Sequence, residues 1–513
     1  MKMHVNPLTA IDFYKTDHRR QYPEGTTEVY ANFTARSSRL GKVLRRDYDN
    51  KVVFFGLQYF IKDFLIDAWN EKFFKRDKGA VVAAYKRRMD CSLGKDAINV
   101  DHIAALHDLG YLPLKIKALP EGMRVPIGVP LLTIVNTHPD FFWLTNYIES
   151  VISCYLWKPV TSATTAFEYK RLLTEYAVKT GSAKDFVSLQ AHDFSFRGMS
   201  ALQDAALIGA AHLTSFCGTD SVPAIDLLED YYGANAEEEM IGCSVPATEH
   251  SVMCMGMQDG ELATFRRLIN ELYPKGIVSI VSDTWDFWKV VTEYTSVLKN
   301  EILARDGKVV IRPDSGDPIK IVVGDPEAAE GSSQYKGAIE CLWNIVGGTK
   351  TKTGYKMLDS HIGLIYGDSI TLERAEAILK GLESKGFASG NVVFGVGSYT
   401  YQYVTRDNFG FAMKATSGVV NGERRNIFKD PKTDSGTKKS AKGLLRVERD
   451  GDTLLLHDEQ TEEQEKQGLL EVVFMNGKLA KAACLSEIRL RVNDSLRSSR
   501  FSPQLVGERE ISA

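Results

Sequence analysis

Cysteine is sparse and scattered in this chain: seven residues in 513, at positions 91, 154, 217, 243, 254, 341 and 484. No C-x-x-C pair and no clustered metal-ligand spacing occurs. Neither a disulfide framework nor a zinc module is expected, and the thiols read as reduced and cytosolic. Charge of one sign is also lacking: 63 Lys plus Arg stand against 66 Asp plus Glu, a net charge of −3. That balance leaves no electrostatic footprint for nucleic acid or an anionic membrane, so any basic site for an anionic ligand must be local. Long apolar runs are missing too. Nothing approaches the ~20 residues of a membrane span, and the start MKMHVNPLTAID has no apolar leader core. A soluble, cytoplasmic protein is expected.

What is there is an ordinary globular composition, 44% hydrophobic and 25% charged. The length exceeds one typical core, so two domains are expected. Residues 1–155 mix strand and helix signals with little regular alternation. Val29 to Phe33 alternates like a strand and leads to a basic cluster of Arg36, Arg39, Arg45 and Arg46, read as a solvated loop or a phosphate contact. Leu57, Phe60, Ile61, Phe64, Leu65 and Trp69 fall at helical spacing and read as core. Lys429 to Lys442 is polar and basic, an exposed loop, and short strands and a final helix from about Ala482 follow.

Between these ends the rhythm changes. Lys308 to Pro318 reads KVVIRPDSGDP: a β-branched run suited to a buried strand, broken by Pro, Ser and Gly, with Arg312, Asp314 and Asp317 just past it. The same grammar recurs at 187–198, 212–220, 243–250, 277–286, 362–369 and 391–398, with helix candidates between. Seven such units predict an irregular (β/α) barrel over 156–409, flanked by an α+β domain built from both chain ends, 1–155 and 410–513. A doubly wound open sheet is the alternative.

In either architecture ligands bind beyond the carboxyl ends of the strands. The groups there are Asp193, Arg197, Asp220, Glu249, His250, Asp283, Arg312, Asp314, Asp317 and Asp368, almost all accompanied by glycine. Arginine forks suit phosphate oxygens, glycines let backbone N–H groups approach them, and carboxylates hold Mg²⁺ or ribose hydroxyls. Any single acid is as readily a salt bridge or helix cap. Together they point to a phosphorylated sugar handled with Mg²⁺. His250, opening a predicted helix, reads as a structural residue, a general acid/base or a nucleophile toward phosphorus. Gly395-Val396-Gly397 lacks the third glycine and the helix of a dinucleotide fingerprint, which excludes NAD binding. Cys217 and Cys243 read as buried apolar fillers.

Ten segments carry a family resemblance over nearly the whole chain: DFYKTDHRRQYP (12–23), FFGLQYF (54–60), HDFSFRG (192–198), GTDSV (218–222), SVPATEH (244–250), SIVSD (279–283), IRPDSGDP (311–318), GDS (367–369), TRD (405–407) and IFKDP (427–431). In content and order they resemble the nicotinamide phosphoribosyltransferases of the type II phosphoribosyltransferase family. The resemblance implies a homodimer that joins nicotinamide to phosphoribosyl pyrophosphate with Mg²⁺, and in which ATP phosphorylates a histidine matching His250. It implies that Phe194 and the partner subunit's Tyr14 sandwich the pyridine ring, and that Asp220 accepts from the carboxamide. Arg312 and Arg197 would take the diphosphate, and Asp314, Gly367 and Asp368 the ribose, with Asp283 nearby. Gly397, Ser398 and Arg406 would hold the 5′-phosphate, while Asp12 and Ser279 complete the binding set. Which acids would hold the metal stays open. Two departures stand out: the family's G-x-G-G-G reads Gly395-Val396-Gly397-Ser398-Tyr399 here, and Phe196 replaces a tyrosine. The rival readings are a nicotinate-specific relative, against which the charge on Asp220 argues, and a non-catalytic nucleotide-binding barrel.

Overall fold

The computed structural model describes residues 5–38, 47–429 and 441–497. Two sheets organise it. In chain order their strands are β1 (Thr26–Thr34), β2 (Leu114–Ala118), β3 (Pro130–Asn136), β4 (Ala191–Phe194), β5 (Gly218–Thr219), β6 (Lys275–Val281), β7 (Asp306–Arg312), β8 (Ile362–Tyr366), β9 (Val392–Gly397), β10 (Ala412–Val420), β11 (Glu423–Asn426), β12 (Glu471–Met475) and β13 (Lys478–Leu479). The first sheet runs β11-β10-β1-β3-β2-β12-β13 and is antiparallel throughout. Its strands come from both chain ends, and its core mixes Phe33, Phe54 and Trp69 with Phe411, Val447 and Phe474.

The second sheet is parallel, in the order β5-β4-β9-β8-β7-β6. Its two edges do not stay open. Residues 243–248 bridge them, Cys243 pairing with Gly218 on β5 and Ala247 with Ser279 on β6. Backbone N–H groups of Thr219 and Ser279 donate to Cys243 O and Pro246 O at 3.0 and 2.8 Å. All seven expected strand ends therefore belong to one closed ring. The open doubly wound alternative is excluded.

A 32-residue helix, Glu149–Thr180, joins the two cores: Ile152 and Leu156 pack into the first, Leu172 and Leu173 into the second. The expected boundary at 155/156 falls inside it. The helix Leu485–Arg497 packs Leu485, Ile488 and Val492 among barrel-helix residues such as Leu227 and Leu228 and the N-terminal Val53, Phe55 and Tyr59. Arg489 anchors it through the carbonyls of Leu213 and Met240, at 2.9 and 2.8 Å. The 57–69 stripe is helical and buried as expected, largely in π-type turns. Of the basic cluster, Arg36 donates to Gly410 O at 2.9 Å; Arg39, Arg45 and Arg46, and residues 430–440 of the polar loop, lie outside the described residues.

One buried carboxylate ties the units together. Glu121 accepts from the backbone N–H groups of Gly56 (2.6 Å) and Gln58 (2.7 Å), where a helix begins, and from Tyr232 Oη (3.0 Å) on a barrel helix. Burial pushes its carboxyl from 4.5 up to about 7, against the pull of those donors. A carboxyl that holds its proton more tightly when folded contributes less stability as pH rises between those two values. Glu121→Gln is therefore expected to flatten the fall of the thermal midpoint between pH 4.5 and about 7. An unchanged slope contradicts this role.

Candidate active site

The register of the parallel ladder decides which side chains meet. Val281 pairs with Arg312, Tyr366 with Phe394, and Gly397 with Phe194, so the carboxyl ends of all the strands share one mouth. A cavity of about 750 Å³ opens there, lined among others by Phe194, Arg197, Asp220, Arg312, Asp314 and Asp368. Below it the barrel interior holds a second cavity of about 250 Å³, reaching Ser279 and Lys308. Phe194, Asp220 and Arg312 line both, so they form the neck between the two.

Phe194 is at the neck because glycine makes room for it. A Cβ on Gly367 would stand 2.8 Å from its ring and one on Gly395 closer still, so the ring lies across the backbones of two neighbouring strands. Asp220 turns one oxygen to two donors: His192 Nε2 at 2.9 Å and Ser244 Oγ at 2.7 Å reach Oδ1. Burial pushes the Asp220 carboxyl up, but these donors and the Arg312 charge outweigh it, and the group is held below its ordinary value. Arg312 gives Nη2 to Thr248 O, while its buried Nε has no partner among the described residues. Ser279 Oγ, in the wall of the interior cavity, is equally orphaned. Buried polar atoms left unpaired in a cavity wall are the mark of a site that a polar ligand completes.

Asp283 organises the opposite side. Its Oδ2 accepts from Asp314 N at 2.9 Å and Ser315 Oγ at 2.6 Å, which fixes the loop after β7. Its Oδ1 faces His250 Nε2 at 3.3 Å. His250 opens a short helix, His250–Met255, and its ring is half-exposed. Glu249, the strand-end acid next to His250 in sequence, accepts from Ser251 Oγ. Among the described residues no cluster of three His, Cys, Asp or Glu could hold a metal unaided. Asp314 and Asp368 both line the mouth, and one or two carboxylates beside a phosphorylated ligand suit Mg²⁺, which binds few protein groups.

The loop after β9, expected to hold phosphate, differs from expectation in one respect. A four-residue helix, Ser398–Tyr401, does open directly after Gly397. The side chain of Ser398 sits where a Cβ on Gly198 would be, so the added serine is matched by a glycine opposite. Tyr399 and Tyr403 line the mouth with rings 4.8 Å apart. Arg197 is exposed in the cavity wall and has no ion-pair partner among the described residues.

Several expected residues lie elsewhere. Asp193 is fully buried and accepts from Ser195 N at 2.9 Å, and Asp317 caps the helix Pro318–Val322; both are structural. Cys217 and Cys243 are only partly buried, and Cys243 lines the interior cavity, because irregular chain stands where a filled strand was expected. The mouth lining of this single chain does not include Asp12, Tyr14 or Arg406. Tyr14 is 59% exposed under the Lys15 ammonium, Asp12 accepts from Ser150 Oγ, and Arg406 pairs with Asp407 at 3.4 Å. His192 and Ser244 were not singled out from the sequence. Alternation on β4 was the available signal, since His192 and Phe194 share one face and Asp193 takes the other.

Fold and mouth define the class, a barrel enzyme that handles a phosphorylated ligand above an aromatic neck. Comparison with known proteins narrows it. The model of the nicotinate phosphoribosyltransferase (NAPRTase) family matches residues 189–478, and that of the nicotinamide phosphoribosyltransferase N-terminal domain matches 6–116. A nicotinamide phosphoribosyltransferase of Acinetobacter baylyi is 64% identical over 98% of this chain and 100% of its own length. One of Mycoplasma pneumoniae is 35% identical over 86% and 95%. The fold matches that of nicotinate-nucleotide pyrophosphorylase from Pyrococcus furiosus, with TM-score 0.58 at 15% identity over 97% of this chain and 98% of that one. It also matches human nicotinic acid phosphoribosyltransferase, with TM-score 0.51 at 14% identity over 94% and 93%. The chain belongs to the NAPRTase family and is a phosphoribosyltransferase.

If the two glycines exist to seat Phe194, Gly395→Ala must push the ring out of the neck. A loss of about a hundredfold in kcat/KM is expected, the scale of an ångström-sized misplacement, with far-ultraviolet circular dichroism unchanged. Native activity in that variant contradicts the assignment.

Proposed function

We propose that the protein converts nicotinamide and phosphoribosyl pyrophosphate to nicotinamide mononucleotide and pyrophosphate in NAD salvage, as a cytoplasmic homodimer. The observation that carries this reading is Asp220, an acceptor at the neck beside the Phe194 ring. A carboxamide N–H is welcome there, whereas a carboxylate is repelled at short range. The 64% identity to a relative of that name supports the same substrate. The family name keeps nicotinate as the second reading, with Arg312 at the same neck as the partner of its carboxylate.

Glycosyl transfer breaks the C1–O bond to diphosphate as the pyridine nitrogen attacks, through an oxocarbenium-like ribose. Arg197 and Arg312 take up the charge that develops on the leaving diphosphate, and Asp314, Gly367 and Asp368 hold the ribose. The 5′-phosphate meets Gly397 and Ser398, with Arg406 completing the set. Phe194 and the partner subunit's Tyr14 hold the ring between them, which accounts for an aromatic as exposed as Tyr14. Asp314 and Asp368 would hold Mg²⁺, which would neutralise phosphate charge.

ATP acts as co-substrate through His250. Asp283 engages Nε2 and leaves Nδ1 as the nucleophile toward the γ-phosphorus, with ADP departing. Product assays with nicotinamide or nicotinate, with and without ATP, test the whole scheme. Product chiefly from nicotinamide, raised by ATP, is expected, and His250→Ala should abolish the ATP effect while leaving slow synthesis. Product chiefly from nicotinate overturns the substrate assignment, and full ATP stimulation of the variant overturns the phosphohistidine.

A further inference from the structure

His192, Ser244 and Asp220 have the composition of a hydrolase triad without its geometry. One ring nitrogen, His192 Nε2, faces both partners: it lies 2.9 Å from Asp220 Oδ1 and 3.4 Å from Ser244 Oγ, which is itself 2.7 Å from Oδ1. A triad needs the serine on one ring nitrogen and the acid on the other, so a ring whose Nε2 faces both cannot serve as the serine's base while the acid orients it. Both donors instead converge on a single carboxylate oxygen. Asp220 Oδ2 has no protein partner among the described residues, although a carboxylate offers about four lone-pair sites.

The clamp is built in. His192 pairs across the ladder with Gly218, where a Cβ would stand 2.7 Å from Nδ1, so the imidazole lies flat against the neighbouring strand. The Phe194 ring meets its edge at 5.1 Å. Ser244 comes from residues 243–248, the same stretch that closes the barrel. Both side chains line the interior cavity, where a free N–H or O–H donor would serve a ligand carboxylate. Committed to Asp220, neither is free to do so.

We propose that His192 and Ser244 are specificity-determining positioning residues. They fix Oδ1 so that Oδ2 meets the N–H of a pyridine carboxamide, and their engagement leaves a pyridine carboxylate with no donor at that point. This rests on the reading of Asp220 as the amide acceptor.

The test uses the full-length protein with His192→Leu, His192→Asn, Ser244→Ala, Ser244→Thr and, in parallel, Asp220→Asn. KM and kcat are measured for nicotinamide, nicotinate and phosphoribosyl pyrophosphate. His192→Leu and Ser244→Ala should each raise the nicotinamide KM about tenfold, the scale of one hydrogen bond to a charged group. The KM for phosphoribosyl pyrophosphate should stay native, and His192→Asn and Ser244→Thr, which keep a donor, should recover most of the loss. An unchanged nicotinamide KM overturns the proposal. So does a rise in both substrates' KM that the donor-keeping variants fail to recover, since that is a structural effect. If Asp220→Asn shifts the nicotinamide-to-nicotinate ratio while the other four do nothing, only the clamp has failed. If Asp220→Asn leaves the ratio native, the amide-acceptor reading has failed as well.

Discussion

The barrel closes through a stretch that is barely a strand. Six parallel strands leave two edges, and the unpaired N–H and C=O groups of β5 and β6 must find partners. Residues 243–248 supply them, Cys243 on one side and Pro246 and Thr248 on the other, with bonds of 2.7 to 3.0 Å. The rest of the site follows from that closure. It brings Thr248 O onto the Arg312 guanidinium, Ser244 onto Asp220 and His250 onto Asp283. A regular strand there would have filled the lumen with side chains in layers. Irregular chain leaves a cavity of about 250 Å³ instead.

Charge is spent locally in the same way. The chain is nearly neutral, yet the mouth gathers Arg197 and Arg312 against Asp220, Asp314 and Asp368. Each carboxylate is held differently. Asp220 is fixed by His192 and Ser244, and Asp283 spends one oxygen on the loop carrying Asp314 and the other on His250. Such fixed dipoles need little reorganisation when charge moves during reaction, which is how a site of this kind lowers a barrier.

Much of this was legible in the sequence because strand ends are marked chemically. A β-branched run breaking into Arg, Asp and Gly, seven times over, locates the mouth without any knowledge of the turns between. Composition could not sort the acids within it. Asp193 and Asp368 look alike in sequence, yet one is sealed behind the strand and the other lines the cavity. Only the alternation of β4 separates Asp193 from His192 and Phe194. Nor could glycine patterns reveal that Gly367 and Gly395 exist to seat an aromatic ring, since that depends on strands far apart in sequence becoming neighbours. The packing of the C-terminal helix was only partly legible for a related reason: its apolar stripe of Leu485, Ile488 and Val492 fits any core, and it packs against both the N-terminal Val53, Phe55 and Tyr59 and the barrel-helix residues Leu227 and Leu228.

On the proposed reading one passage, with Phe194 and Asp220 at its neck, holds the pyridine while the glycine-bearing mouth holds the phosphate. A crystal structure with nicotinamide mononucleotide tests it most directly. The ring is expected on Phe194, the carboxamide nitrogen within hydrogen-bond distance of Asp220 Oδ2, and the phosphate at Gly397 and Ser398. A ring bound away from Phe194, or a carboxamide turned from Asp220, contradicts it.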